Sequence, residues 1–171
     1  MRIEILNTGT ELLLGTTLNR HGAWIGERLF ELGLRVERQV TVPDGEAVRD
    51  ALAECVGRSD VVLVTGGLGP TSDDLTREAA AEAMGIELIE DEHAVRVIEA
   101  FFAKLDRPMA EGNLKQALIP CGADVLPNLN GTAPGVYVPP RLGKGKACAV
   151  FLLPGPPNEL HPMFEDEVVP R

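Results

Sequence analysis

The chain has 171 residues, of which 44% are hydrophobic and 25% charged, and its formal net charge is -10. These values fit one globular domain over residues 1–171, and no apolar run approaches the ~18 residues of a membrane span. The net negative charge repels phosphate backbones, which argues against nucleic acid as a partner. Cys55, Cys121 and Cys148 form no CxxC pair, which predicts buried thiols in the reducing cytoplasm.

The first half of the chain alternates short apolar runs with amphipathic helical patterns. Apolar runs predict strands at 3–6, 34–40 and 61–64. Helical spacing predicts one helix with Leu18, Ile25, Leu29 and Leu32 on its apolar face and two further helices at 47–55 and 75–84. Gly33 and Gly85 are placed to stop the first and third of these helices.

The second half continues the alternation less regularly. The predicted elements are a strand at 86–89, a helix at 95–105, a brief helix at 113–119, loops and edge strands at 121–145, a strand at 147–153 and a final helix from Asn158. Strands that alternate with helices predict an α/β fold with a mostly parallel sheet covered on both faces. In such sheets ligands bind beyond the carboxyl ends of the strands. We therefore expect the loops that follow the strands to gather at one edge.

The sharpest local motif is the glycine loop, defined as Thr65–Pro70, which directly follows a β-branched run. Gly66, Gly67 and Gly69 permit positive φ and close approach of a ligand to the backbone. Their amides, next to a helix N-terminus, predict an anion site of neither the Walker A nor the GxGxxG type. The alternative is a tight connection between a strand and a helix.

Four carboxylates follow predicted strands or begin the next helix: Glu11, Asp44, Asp73 and Asp74. Helix capping accounts equally well for Asp73 or Asp74 taken singly, and Asp44 taken singly is more often a turn residue or N-cap. Carboxylate oxygens beside a phosphate cradle also suit a divalent cation such as Mg²⁺. The sequence therefore predicts a metal site that competes with these structural roles.

Two weaker features complete the set of candidates. The loop Gly131–Gly135 offers close backbone approach and the Thr132 hydroxyl, or is an ordinary turn. Lys115, near Asn113, could meet a phosphate or be solvated. The three histidines share no local frame, and none is assigned to catalysis.

Taken in order, these motifs resemble the molybdopterin-binding superfamily, and within it the N-terminal domain of the CinA (competence/damage-inducible) family. The matching segments are Gly9–Leu13, Pro43–Gly45, Thr65–Thr76, Asn113–Ala117, Gly131–Gly135 and Leu153–Leu160. The resemblance implies a three-layer α/β/α domain with its ligand, a nucleotide or a pterin, at the glycine-loop edge. It also implies a homo-oligomer, since relatives form dimers and trimers.

Site residues follow from the same resemblance. It implies that Asp44 and Asp74 are catalytic and bind a divalent Mg²⁺, Mn²⁺ or Co²⁺ ion, with Glu11 and Asp73 as further ligands and K⁺ as a further candidate ion. The implied substrate-binding residues are Gly9, Thr65, Gly66, Gly67, Leu68, Gly69, Pro70, Thr71, Thr76, Asn113, Lys115, Gly131, Thr132, Pro134, Gly155 and Pro156.

Three functions remain open. The CinA branch implies metal-dependent hydrolysis of the pyrophosphate of ADP-ribose, which is the leading expectation. The molybdopterin branch implies pterin binding or adenylyl transfer in molybdenum cofactor synthesis, but Leu68 and Arg77 replace its usual threonine and proline. A non-catalytic nucleotide-binding module is the third. CinA proteins commonly bear a C-terminal deamidase domain, which these residues do not resemble, so deamidase activity is not expected.

Overall fold

The computed structural model describes residues 1–171 as a six-stranded sheet with helices on both faces and a separate two-stranded sheet. The strands are β1 (Ile3–Thr8), β2 (Val36–Val42), β3 (Val61–Thr65), β4 (Leu88–Glu90), β5 (Leu118–Pro120), β6 (Asp124–Leu126), β7 (Gly135–Val138) and β8 (Ala149–Leu153). The helices are α1 (Thr10–Leu13), α2 (His21–Glu31), α3 (Ala47–Arg58), α4 (Thr76–Met84), α5 (Glu92–Lys104) and α6 (Pro157–Met163), with a 3₁₀ helix at Glu111–Ala117 and a π-helical turn at Phe164–Val168.

The main sheet has the order β2-β1-β3-β8-β7-β6, in which the first four strands are parallel, β7 pairs antiparallel with β8, and β6 pairs antiparallel with β7. This confirms the predicted mostly parallel α/β/α architecture. The carboxyl ends of β1, β3 and β8 lie side by side, since Asn7 pairs with Thr65 and Thr65 with Leu153. No helix is long and apolar enough to cross a membrane.

Side chains of alternate residues in the central strands pack into two separate hydrophobic cores. Val62 and Val64 of β3 belong to a cluster of 21 buried residues that includes α3 and α4, whereas Leu63 belongs to a cluster of 12 that includes α2 and α6. Strands buried on both faces need apolar side chains at every position, which explains their unbroken apolar runs. The two cores hold the strand ends in fixed relative positions.

Local sequence explains most helix ends. Gly33 and Gly85 both adopt left-handed backbone, with φ of 76° and 65°, just beyond α2 and α4, as predicted. Pro157 is the first residue of α6, where a missing amide costs nothing. Pro162 lies inside α6, two residues before the π-helical turn begins at Phe164.

Several predicted details were wrong. Leu18 precedes α2 and is 76% exposed, and Leu32 and Leu105 are also exposed just beyond their helices. Leu118 and Ile119 are not helical: they pair with β4, because a strand partner overrides local helix propensity. The four-residue α1 was not predicted, because it is too short to show a period. Cys121 is exposed rather than buried, while Cys55 and Cys148 are buried.

Candidate functional site

The loops that follow β1, β2, β3 and β8 enclose one cavity of about 340 Å³, here called the glycine cavity. This confirms that they gather at the carboxyl edge of the sheet. The predicted site residues that line it are Gly9, Glu11, Asp44, Gly66, Gly67, Leu68, Gly69, Pro70, Asp74, Thr132, Gly155 and Pro156. Six segments far apart in sequence therefore contribute to one concave surface.

The backbone of the glycine loop is one that only glycine permits. Gly66 and Gly67 have φ of 92° and 67°, a region that side chains disfavour. A Cβ on Gly66 would lie 2.7 Å from the Thr8 carbonyl oxygen, and one on Gly67 would overlap the Thr76 hydroxyl. The loop is thus pressed against β1 and the start of α4.

The loop presents amides without acceptors. The Gly66 amide donates to the Leu153 carbonyl, but the amides of Gly67, Leu68 and Gly69 donate to no acceptor of the chain. Backbone N–H groups need a partner, from protein, water or ligand. Successive free amides at a turn before a helix form an anion-binding arrangement.

Asp44 lines the same cavity and is held by the loop after β1, next to the turn that follows the glycine loop, since the Gly45 amide donates to the Asp73 carbonyl at 3.1 Å. Its carboxylate accepts a hydrogen bond from the Thr10 amide at 2.9 Å, and its own amide donates to the Thr10 hydroxyl at 3.3 Å. The Gly9 amide donates to the Val42 carbonyl, which fixes this loop to the end of β2. Glu11 follows directly and lines the same cavity.

Asp74 organises the end of the glycine loop. Its Oδ2 accepts a hydrogen bond from the Thr71 amide at 3.0 Å and contacts the Thr71 hydroxyl. No intrachain donor reaches Oδ1, so this oxygen is available to a ligand or cation. Asp73 is exposed outside the cavity, where a hydrogen bond from the Thr71 hydroxyl lowers the pKa of its carboxyl group.

The remaining predicted residues support the cavity from behind or lie beside it. Thr76 is buried and donates from its hydroxyl to the Gly66 carbonyl at 3.0 Å. Lys115 donates to the Thr71 and Asp74 carbonyls at 2.7 and 2.6 Å rather than facing the cavity. The others outside its lining are Thr65, Thr71, Asn113, Gly131 and Pro134.

Five lining residues were missed: Thr8, Gln116, Ala133, Pro154 and Glu159. Glu159 accepts a hydrogen bond from Asn128 at 2.7 Å. A Cβ on Gly131 would overlap the Glu159 carboxylate, so the glycine at 131 makes room for it. Glu159 lies in the first turn of α6, within the segment Leu153–Leu160. An acidic residue there is already explained by the helix dipole, so its position gave no separate reason to expect a binding role.

Arg77 is the most unusual charged group near the cavity. It is only 2% exposed, and it donates to the carbonyls of Leu68 at 2.9 Å and Pro134 at 3.1 Å. No carboxylate forms an ion pair with it, and its Nε has no partner. Burial lowers the pKa of Arg77 to about 10, which still leaves it charged at neutral pH. Arg77 thereby joins the glycine loop to the loop before β7.

The cavity lining itself is acidic. It contains four carboxylates and no lysine, arginine or histidine. These carboxylates do not form a cluster of three or more protein ligands that could hold a metal ion on their own. Mg²⁺ characteristically uses one or two carboxylates together with substrate phosphates. The donor set fits a cation that binds together with a phosphorylated ligand.

Two histidines share a frame that sequence did not reveal. His161 stacks on Trp24 with ring centroids 3.9 Å apart, and His21 meets His161 edge-on at 6.4 Å. The two histidines are 140 positions apart, so only the packing of α2 on α6 unites them. Burial lowers the pKa of His21, which favours its neutral form.

The fold and this edge define a three-layer α/β/α domain with a polar, ligand-sized cavity at the carboxyl ends of its parallel strands. A family model described as a probable molybdopterin binding domain matches residues 4–171. The chain belongs to this family, and within it to the CinA-like proteins.

Individual relatives agree with this assignment. A CinA-like protein of Akkermansia muciniphila is 50% identical over 170 residues, which are 99% of this chain and 40% of the relative. The structure of a CinA protein of unknown function from Thermoplasma acidophilum has a TM-score of 0.87 and 31% identity, with 99% of this chain and 98% of that chain covered. This chain spans about 40% of the length of the curated relatives it matches.

A more distant similarity extends to the fold alone. The molybdopterin biosynthesis Mog protein of Mycobacterium ulcerans has a TM-score of 0.60 and 21% identity, with 98% of this chain and 94% of that chain covered.

Proposed function

We propose that this domain is a metal-dependent pyrophosphatase of ADP-ribose or a related nucleotide diphosphate. The observation that supports it most is that three free loop amides and four carboxylates lie around one cavity. The amides suit an anionic ligand, whereas the carboxylates repel one. A divalent cation held by the carboxylates would offset their repulsion of the ligand phosphates.

Asp44 and Asp74 are the residues that would hold this cation, with Glu11 and Glu159 lining the same cavity. When bound, a divalent ion would polarise a phosphoryl oxygen and lower the pKa of a bound water. The amides of Gly67, Leu68 and Gly69 donate to phosphate oxygens and stabilise the charge that develops in the transition state. The buried Arg77 adds positive potential behind these amides.

Binding of the diphosphate by the loop amides and by residues around the cavity would orient it for in-line attack at phosphorus. Catalysis of this kind depends on positioning and electrostatics rather than on a covalent intermediate. Hydrolysis adds one water across the P–O–P bridge, which gives AMP and ribose 5-phosphate from ADP-ribose. A cytoplasmic location and a homo-oligomeric state remain predictions from the sequence and the resemblance.

The test is incubation of purified protein and ADP-ribose with Mg²⁺, Mn²⁺ or Co²⁺, followed by ³¹P NMR. We expect two phosphomonoester signals in equal amount and loss of activity of at least 100-fold in the combined Asp44→Ala and Asp74→Ala variant. Activity that survives in that variant would refute the assignment. Tight binding of ADP-ribose without turnover under any of the three metals would instead identify a nucleotide-binding module.

The family description favours a second candidate, which is binding of a molybdopterin. A pterin phosphate could use the same free amides, so the two functions share a site. Molybdopterin binding with no cleavage of ADP-ribose would select this candidate. The buried Leu68 and Arg77 replace the threonine and proline expected for adenylyl transfer, which argues against that activity.

A further inference from the structure

A second cavity opens beside the glycine cavity on the side of α2. It has a volume of about 590 Å³, and it is here called the threonine cavity after Thr16 and Thr17. The two cavities share Thr8, Glu11, Gly155 and Pro156, so they meet at a common saddle. The threonine cavity is therefore the space into which a ligand held by the glycine loop would extend beyond this saddle.

The chemistry of the threonine cavity differs from that of its neighbour. Thr16 and Thr17 supply hydroxyls, and Arg20 is exposed and forms no ion pair within the chain. Arg20 and His21 are the only basic groups that line either cavity. Of these two groups, Arg20 is the exposed one, so it is the cation available to a ligand that occupies both cavities.

We propose that the threonine cavity is a second subsite, which receives the sugar arm beyond the diphosphate through Arg20 and the Thr17 hydroxyl. This proposal rests on the proposed function, because it places the diphosphate at the saddle. The hydroxyl groups of a ribose can accept a hydrogen bond from the guanidinium group and exchange one with the threonine hydroxyl. The site therefore selects two-armed diphosphates over nucleotides that end at the second phosphate.

The experiment compares two ligands that cannot be hydrolysed: the methylene-bridged analogues of ADP-ribose and of ADP. Each is titrated with Mg²⁺ by calorimetry into wild type and into the Arg20→Ala and Thr17→Tyr variants. We expect the ADP-ribose analogue to bind wild type about tenfold more tightly, the effect of one charge-assisted hydrogen bond. Both variants should lose this difference but keep the affinity for the ADP analogue. Arg35→Ala is the matched control, because Arg35 is exposed beside Met1, away from both cavities.

Equal affinity of the two analogues for wild type would overturn the subsite, as would a difference that persists in both variants. Cleavage of unmodified ADP-ribose is measured separately on the same samples. Cleavage without a difference in affinity would refute the subsite and leave the proposed function intact. A difference in affinity without cleavage would refute the hydrolase and support the subsite.

Discussion

The buried charges at the two ends of the parallel strands differ in whether they form an ion pair. At the amino end, Glu4 is 1% exposed and accepts hydrogen bonds from Arg58 at 2.8 to 3.1 Å, so both charges are paired within the chain. At the carboxyl end, Arg77 is as deeply buried but has only carbonyl partners. A buried cation without a counter-ion is costly unless something else supplies the negative charge.

The difference separates stability from function. The Glu4–Arg58 pair is complete in the free protein, so its removal should affect folding alone. Arg77 lies behind a loop with three free amides, where a bound phosphate would add negative charge to that of Glu78 and Asp74, which act on Arg77 without forming an ion pair with it. The predictions below test this separation, from the largest expected effect to the smallest.

Replacing Arg58 by methionine should cost about 3–5 kcal/mol of unfolding free energy, because it leaves the Glu4 carboxylate buried and unpaired. Urea unfolding measures this loss. Arg2→Ala is the control and should cost under about 1 kcal/mol, since the Arg2–Glu37 pair is exposed. If Arg58→Met lowered the affinity for phosphate as well as the stability, the Glu4–Arg58 pair would not act on folding alone.

Replacing Arg77 by methionine should change stability by less than about 2 kcal/mol, because lost hydrogen bonds are offset by relief of a buried charge. The affinity for ADP-ribose with Mg²⁺ should fall about tenfold, because the potential behind the loop is lost. Calorimetry and unfolding on the same sample provide both numbers. Arg77→Lys keeps the positive charge but lacks the planar guanidinium group that bonds to two carbonyls at once, so it should retain part of the affinity. A variant that loses stability but not affinity would make Arg77 merely structural.

The Glu4–Arg58 pair should also shape the response to acid. Hydrogen bonding to Arg58 holds the pKa of Glu4 below its usual 4.5. Ionised Glu4 therefore contributes stability above that value, and the contribution is lost as the pH falls from 4.5 through the lower folded pKa. The free energies of unfolding of wild type and Glu4→Gln are measured between pH 7 and pH 3. They should differ at pH 7, and the difference should shrink below pH 4.5. A difference that is constant with pH would contradict the pairing.

The smallest effect is expected at the exposed Arg96–Glu92 pair of α5, which joins residues four apart at 3.4 Å. Arg96→Ala should cost at most about 0.5 kcal/mol. Thermal unfolding at low and high salt is the measurement. A larger cost would show that exposed pairs contribute enough to blur the contrast between Arg58 and Arg77.

Sequence alone predicted the strands that are apolar on both faces and the loops that follow them. β3 and β8 fill two cores at once, so every position had to be apolar and the pattern was unambiguous. Leu118 and Ile119 were misassigned because their partner strand, β4, lies about 30 residues earlier. Local periodicity does not encode such a partner.

The candidate site divides in the same way. Asp44, Asp74 and the glycine loop follow strand ends, so topology alone placed them together. The contact of Glu159 with Asn128 and the burial of Arg77 depend on packing between loops. The spacing of residues along the sequence does not show which loops pack together. The His21–Trp24–His161 group likewise needed α2 and α6 to be packed together.

The most direct test compares two double variants that change the net charge equally. Asp44→Asn with Asp74→Asn alters the glycine cavity, and Glu37→Gln with Asp60→Asn alters exposed carboxylates at the amino end. Release of AMP from ADP-ribose with Mg²⁺ is measured for both. We predict a loss of at least 100-fold in the first and a change under about threefold in the second. Equal activity in the two variants would contradict a hydrolytic site at the carboxyl edge of the sheet.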